Sequence, residues 1–409
     1  MPNPAQQRAL PGKAYRYGTA GVALVGAGII AVTPATSPLP DVHVSDIQLT
    51  AGEEDIVIDF VRHGDTTPPD AVSLVAGNGL PGFPLSATGE AEAATTATQL
   101  ANELGTQSGL GGFPPGGVEG IFGGYEQRMI ETAEPFLTDQ YGPGSYTPDA
   151  AFGAISPFFT PLDGFDEIGG GIYAHAAPAS IGAYLSELTG LLWVLGQEYV
   201  PVLGSNDWNG VQFDENFGGA VDTMYNDAVA DPNPVISATN QLTDVVYSGE
   251  GAIVGWTLLN VNNPDLAILL PDAINAVSSG ELLPPAGVVE VEGNPADGWT
   301  LVNFGGQAFP SNPGLLTELF VDVRNLIVAP QTAVWNISQA IFAGPGAPTL
   351  TTIEDALSTN LQNVGTAITQ FPDLVITDIS TEVQNLFTDV AAGQSLSDAF
   401  MSTIVGLSP

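Results

Sequence analysis

The spacing of apolar positions changes along this chain, and each change marks a type of element. Asp55–Val61 (DIVIDFV) is a short run of β-branched and aromatic residues, the signature of a buried strand, and it ends at Arg62-His63-Gly64. Leu85–Glu90 then opens a helix running to about Leu104, capped by Ser86 or Thr88. After the Gly/Pro-rich loop Gly105–Gly117, Val118–Phe122 predicts a second strand and Gln127 to about Asp139 a second helix. Tyr141–Gly171 mixes aromatics with prolines and predicts loops, and Ala179–Tyr199 returns to helical spacing. Thr243–Ser248 is a third strand, Gly251–Asn260 a helix, and Val288–Val291 and Trp299–Phe304 closing strands. Strands alternating with helices predict an α/β fold with a largely parallel sheet.

Beyond Pro310 the pattern is helical throughout. Leu315, Leu316, Leu319, Phe320 and Val323 share one stripe. Ile353, Leu357, Leu361, Val364 and Ile368 form a second, behind a Thr351–Glu354 capping box. Val383, Leu386, Phe387 and Val390 make a third, and the cluster Ala343–Pro348 separates the first helix from the others. The expected organisation is a leader and linker over 1–37, an α/β domain over 38–310 and a helical extension over 311–409. The apolar stripes of the extension read as core packing, or more sharply as a face for a cell-envelope or protein partner.

Composition narrows the chemistry. A hydrophobic content of 44% argues for a folded protein, and 12% charged residues with 49 Gly and 33 Pro predict many loops. Six basic residues stand against 45 acidic ones, a formal charge of −39. Nucleic acid and anionic lipid surfaces are excluded as partners, because both are held by Lys and Arg. The absence of Cys removes disulfides, thiolate catalysis and Cys-based metal sites. Three scattered histidines, His43, His63 and His175, give no ligand spacing, so neither metal nor cofactor is expected.

Arg8, Lys13 and Arg16 precede an uncharged Gly/Ala-rich run from Tyr17 to Val32 and then small residues and turn formers at 33–38. This is the pattern of a bacterial export signal, cleaved or retained as an anchor, and it predicts a secreted or cell-envelope location. Only Arg62, Arg128 and Arg324 remain beyond it. Arg324, on a predicted helix over 314–327, is expected to pair with Glu318 or Asp322. Arg62 and Arg128 fall just past the first and second strands, where ligands sit in an open parallel sheet. Guanidinium forks match the oxygens of a transferring phosphoryl group, and a His between them has the chemistry of a phosphorus nucleophile. The blander reading of Arg62-His63-Gly64 is a surface turn, and of Arg128 a solvated helix residue. A chain so short of cations favours the site instead.

Four strings in order resemble the histidine phosphatases, the phosphoglycerate mutase-like superfamily. They are Arg62-His63-Gly64-Asp65-Thr66, Leu85–Ala91, Gln127-Arg128 through Thr132-Ala133-Glu134-Pro135, and Phe165-Asp166-Glu167-Ile168 with Gly171. The resemblance spans roughly 55–305 and implies a three-layer phosphoglycerate mutase-like fold. It implies His63 as nucleophile, Arg62 and Arg128 as phosphate clamps, and Glu167 as the acid that protonates the leaving oxygen and activates water. The substrate would be a small phosphomonoester or a phosphate-like anion. One departure stands out: the family's second His, after the third strand, falls on Gly249. Losing one such donor typically costs about 10²–10³ in rate. A catalytically impaired relative, binding an anion or an envelope partner, is therefore the alternative. Glu250 is a second candidate acid, and His175 a candidate to reach the pocket from its loop.

Overall fold

Strand β1, Ile56–Arg62, is buried along nearly its whole length, and its alternating side chains feed two cores. The computed structural model describes residues 54–66, 82–145, 156–168, 179–264, 282–310, 312–343 and 348–406. The leader, His43 and His175 lie outside them. Ile56, Ile58 and Phe60 point into one core and Val61 into the other. This is the two-sided burial expected of a central strand.

Seven strands form one sheet in the order β3-β2-β4-β1-β5-β6-β7. β1 runs parallel to β4 (Thr243–Ser248), which runs parallel to β2 (Gly120–Gly123), which runs parallel to β3 (Thr160–Pro161). β5 (Val288–Asn294), β6 (Gly298–Phe304) and β7 (Gln307–Ala308) close the other side antiparallel. The expected α/β fold with a largely parallel centre is present. Helices α1 (Ala87–Leu104) and α2 (Gln127–Tyr141) cover one face through Leu100, Leu104, Ile130, Phe136 and Leu137. Ser86 caps α1 by accepting the Gly89 amide at 3.0 Å. On the other face lie α3 (Ala179–Val194), α4 (Gly210–Ala230) and α5 (Glu250–Asn260). There Phe217 meets Phe165, Trp256 and Phe60 at ring-centroid distances of 5.1, 5.5 and 5.7 Å.

Helix α4 was not foreseen, although Phe213, Phe217, Val221, Met224 and Ala228 stand at helical spacing and are buried together with Val211. The C-terminal part is corrected in two respects. A single helix α7, Leu350–Ala391, replaces two separate ones, and it is capped by Thr349, whose side chain accepts the Thr352 amide at 3.1 Å. Arg324, on α6 (Leu315–Phe342), bonds to Leu258 and Asn325 rather than to Glu318 or Asp322. It is 3% exposed and donates to the Leu258 carbonyl at 2.7 Å, fastening α6 to α5. Trp335 adds a bond from Nε1 to Glu215 of α4 at 2.7 Å. A short helix α8, Leu396–Phe400, follows α7. Among the described residues, no helix is long and apolar enough to cross a membrane.

Candidate functional site

The parallel strands bring their carboxyl ends together, and that register builds the site. Arg62 is paired with Ser248, and the His63 amide donates to the Ser248 carbonyl at 3.1 Å. One step further along the same register, His63 stands beside Gly249. Helix α5 starts immediately after Gly249 and α2 immediately after Glu126, so both point their N-termini towards this end of the sheet. Partial positive charge collects there, which favours an anion.

Three of the four expected residues meet directly. His63 Nε2 lies 2.7 Å from Glu167 Oε1, and Nδ1 lies 2.8 Å from the Gly64 carbonyl. Since a carbonyl only accepts, Nδ1 donates to it, and Nε2, facing the pocket, donates to the ionised Glu167 carboxylate. Arg128 closes on the same carboxylate through Nε to Oε1 at 3.1 Å and Nη2 to Oε2 at 2.7 Å, the two-pronged geometry guanidinium makes with carboxylate or phosphate. The Arg128 side chain is 9% exposed and that of His63 12%, whereas that of Glu167 is 34% exposed.

The fourth residue, Arg62, takes other partners. It donates through Nη1 to the Leu283 carbonyl and pairs with Glu250 Oε2 at 3.0 Å. Glu250 in turn accepts the amides of Leu282 and Leu283. The expected second acid is thus tied up in holding Arg62 and the 282–283 segment.

Burial alone would raise the Glu167 carboxyl. The His63 hydrogen bond and the Arg128 charge outweigh it and hold the group down at about 2. Glu126 behaves oppositely. It accepts Arg128 Nη2 at 2.9 Å and the Glu167 amide at 3.3 Å. Burial pushes it up to about 7, helped by Glu167 and Asp166 and opposed by Arg128. Asp166, raised by burial to about 6, accepts the Tyr125 amide at 2.6 Å and so fixes the segment that carries Glu167. Glu126 was not foreseen, although its place two residues before Arg128 was the available signal. Thr132 was also missed as a support. It accepts the Gly64 amide at 3.0 Å while donating to the Arg128 carbonyl at 2.6 Å, so one hydroxyl links the His63 loop to α2. Gly82, at φ +88°, packs where a Cβ would come within 2.6 Å of Arg128 Nη1.

The room at position 249 is filled by Glu167. A Cβ placed on Gly249 would lie 2.2 Å from Glu167 Cγ and 2.7 Å from Oε1. Any larger residue there would require the Glu167 side chain to move.

No protein-family model matches the chain. Among curated proteins, the PE-PGRS family protein PE_PGRS11 of Mycobacterium tuberculosis is 35% identical over 329 residues, 80% of this chain and 48% of that protein. The chain therefore spans about half the length of the curated relative it matches. Among solved structures, the mycobacterial glucosyl-3-phosphoglycerate phosphatase Rv2419c aligns with a TM-score of 0.37 and 14% identity, over 62% of this chain and 100% of its own. A phosphoserine phosphatase from Entamoeba histolytica, solved with 3-phosphoglyceric acid, aligns with a TM-score of 0.34 and 11% identity, over 61% and 97%. Both scores are low.

Proposed function

We propose that this chain is an exported member of the histidine phosphatase superfamily that hydrolyses small phosphomonoesters through a phosphohistidine on His63. The observation that carries this reading is the contact of His63 Nε2 and Arg128 with one and the same carboxylate, at 2.7 Å from each. Groups that converge on a carboxylate in this way also fit a phosphoryl group. In the first step Nε2 attacks phosphorus and the bond to the ester oxygen breaks. The departing oxygen takes a proton from Glu167. That proton is the one shared with Nε2 in the resting pair, and it leaves the ring with the carboxyl group when substrate enters. In the second step Glu167 removes a proton from water, whose oxygen attacks phosphorus. The phosphorus–nitrogen bond breaks, releasing phosphate and restoring the imidazole. Arg128 and the N-termini of α2 and α5 offset the charge on the phosphoryl oxygens throughout. Arg62 is held by Glu250, and Gly249 stands at the family's second His position.

Hydrolysis of a generic phosphomonoester by the full chain, compared with His63→Ala and Arg128→Ala, tests the reading. Turnover should vanish in the first variant and fall by about 10²–10³ in the second. Turnover surviving in His63→Ala would remove the phosphohistidine. Absence of turnover in the parent chain, with phosphate still bound, would instead favour the impaired, anion-binding relative that the Gly249 departure also suggests.

A further inference from the structure

One carboxylate of the protein itself lies against the two donors an incoming anion would use, in space left by the missing side chain at Gly249. Glu167 is not poised beside the pocket. It lies in it, salt-bridged to Arg128 at 2.7 Å and bonded to His63 at 2.7 Å. It fits because residue 249 has no side chain, a Cβ there being within 2.2 Å of its Cγ. Gly249 needs no special backbone freedom, since its φ of −85° and ψ of 154° suit any residue. The glycine is explained by the space alone.

We infer that Gly249 and Glu167 together form a built-in anion plug, in which the carboxylate occupies the phosphoryl seat until a tetrahedral oxyanion displaces it. This rests on the phosphatase-type pocket proposed above and concerns its regulation. His63, Arg128 and the second carboxylate on that guanidinium, Glu126, are the charged or titratable groups bonded to Glu167 or its amide. The plug competes with every anionic ligand for the same two donors. Apparent affinity is therefore reduced by the fraction of molecules in which the seat is open. The exit is towards solvent, on the side where the Glu167 side chain is 34% exposed. In leaving, the carboxyl moves away from Arg128 but stays on the segment fixed by Asp166. That keeps it within reach of the leaving oxygen, where the proposed reaction needs it. A His at 249 would close the seat to Glu167 and leave the pocket open at all times.

Calorimetric titration of the full chain with orthovanadate and with inorganic phosphate tests the plug. Glu167→Gln removes the charge that holds Arg128, and Gly249→Ala evicts the side chain through a clash with its Cγ and carboxylate. Each should tighten binding by about tenfold or more. The double variant should bind no tighter than Glu167→Gln alone, because both changes act on one contact. Turnover should fall in Glu167→Gln while its affinity rises, a split that a purely structural role would not produce. If binding in the parent chain depends on His63 but is unchanged or weaker in both single variants, the plug is wrong and the pocket stands. If no form of the protein binds either anion, the pocket and the plug fall together. Glu167→Gln keeps the test open should Gly249→Ala not fold.

Discussion

Helices α4 and α7 both carry an apolar stripe but bury it to different degrees. In α4 Phe213, Phe217, Val221 and Met224 recur at helical spacing and are almost wholly buried. α7 shows regular apolar spacing for 42 residues, yet among its described side chains only Asn360 and Glu382 are buried. Leu361, Ile376 and Phe387 remain 63%, 65% and 68% exposed. Periodicity sets which face of a helix is apolar, and the neighbouring surface decides whether that face is covered. α4 lies over the sheet beside α5, whereas α7 meets chiefly α6. α6 is intermediate, anchored at Arg324 and Trp335 and exposed at Leu316 and Val334.

The difference can be measured. Phe217→Ala should cost about 3–5 kcal/mol in chemical denaturation, because the ring is fully buried among four others. It should also reduce activity, since Phe165 precedes Asp166 and Glu167. A cost under about 1 kcal/mol would mean that α4 does not pack as described. Arg324→Ala should cost about 2–3 kcal/mol by leaving the Leu258 carbonyl without its donor. If the loss instead equals that of an exposed residue, α6 is held by something other than this bond.

Acidity should separate the regions next. Glu198 is 3% exposed and raised by burial to about 8, and Glu318, between α6 and α7, is raised to about 7 by burial and by Glu382, Asp378 and Asp322. A carboxyl raised on folding binds its proton more tightly in the native state. Its contribution is complete below the unfolded value near 4.5 and is lost as pH climbs through the folded one. Between pH 5 and 8 stability should fall, by up to about 1.4 kcal/mol per pH unit for a group such as Glu198. Glu198→Gln should flatten that slope in thermal melts recorded across the range. Glu167 has the opposite sign, its contribution being lost as pH falls from 4.5 towards about 2. The smallest effect belongs to Phe387→Ser on α7, within about 0.5 kcal/mol. A larger loss would show that the stripe is covered after all.

The sequence made the central strands and the polar strings at their ends readable, because β-branched runs stop at Arg62 and Ser248 and few cations compete for attention. His63, Arg128 and Glu167 were legible for the same reason and lie in contact. What was not legible depends on space. Nothing in the string Ser248-Gly249-Glu250 says that the missing side chain makes room for a carboxylate from 82 residues earlier, nor that Glu250 is taken by Arg62. Glu126 is one acid among 45, distinguished only by folding against Arg128. α4 was legible but missed: Phe213, Phe217, Val221 and Met224 recur every three to four residues, and Gly218 and Gly219 lie off that face. The length of α7 was hidden because Pro372, which lacks the N–H a helix interior uses, reads as a break.

The most direct measurement is capture of the covalent intermediate. The full chain is mixed with a phosphomonoester labelled in its phosphoryl group and quenched in alkali, where phosphohistidine survives. One phosphoryl group per chain, located at His63, lost in acid and absent from His63→Ala, is the expected result. Turnover without any trapped phosphoryl group, or a label that persists in His63→Ala, would contradict it.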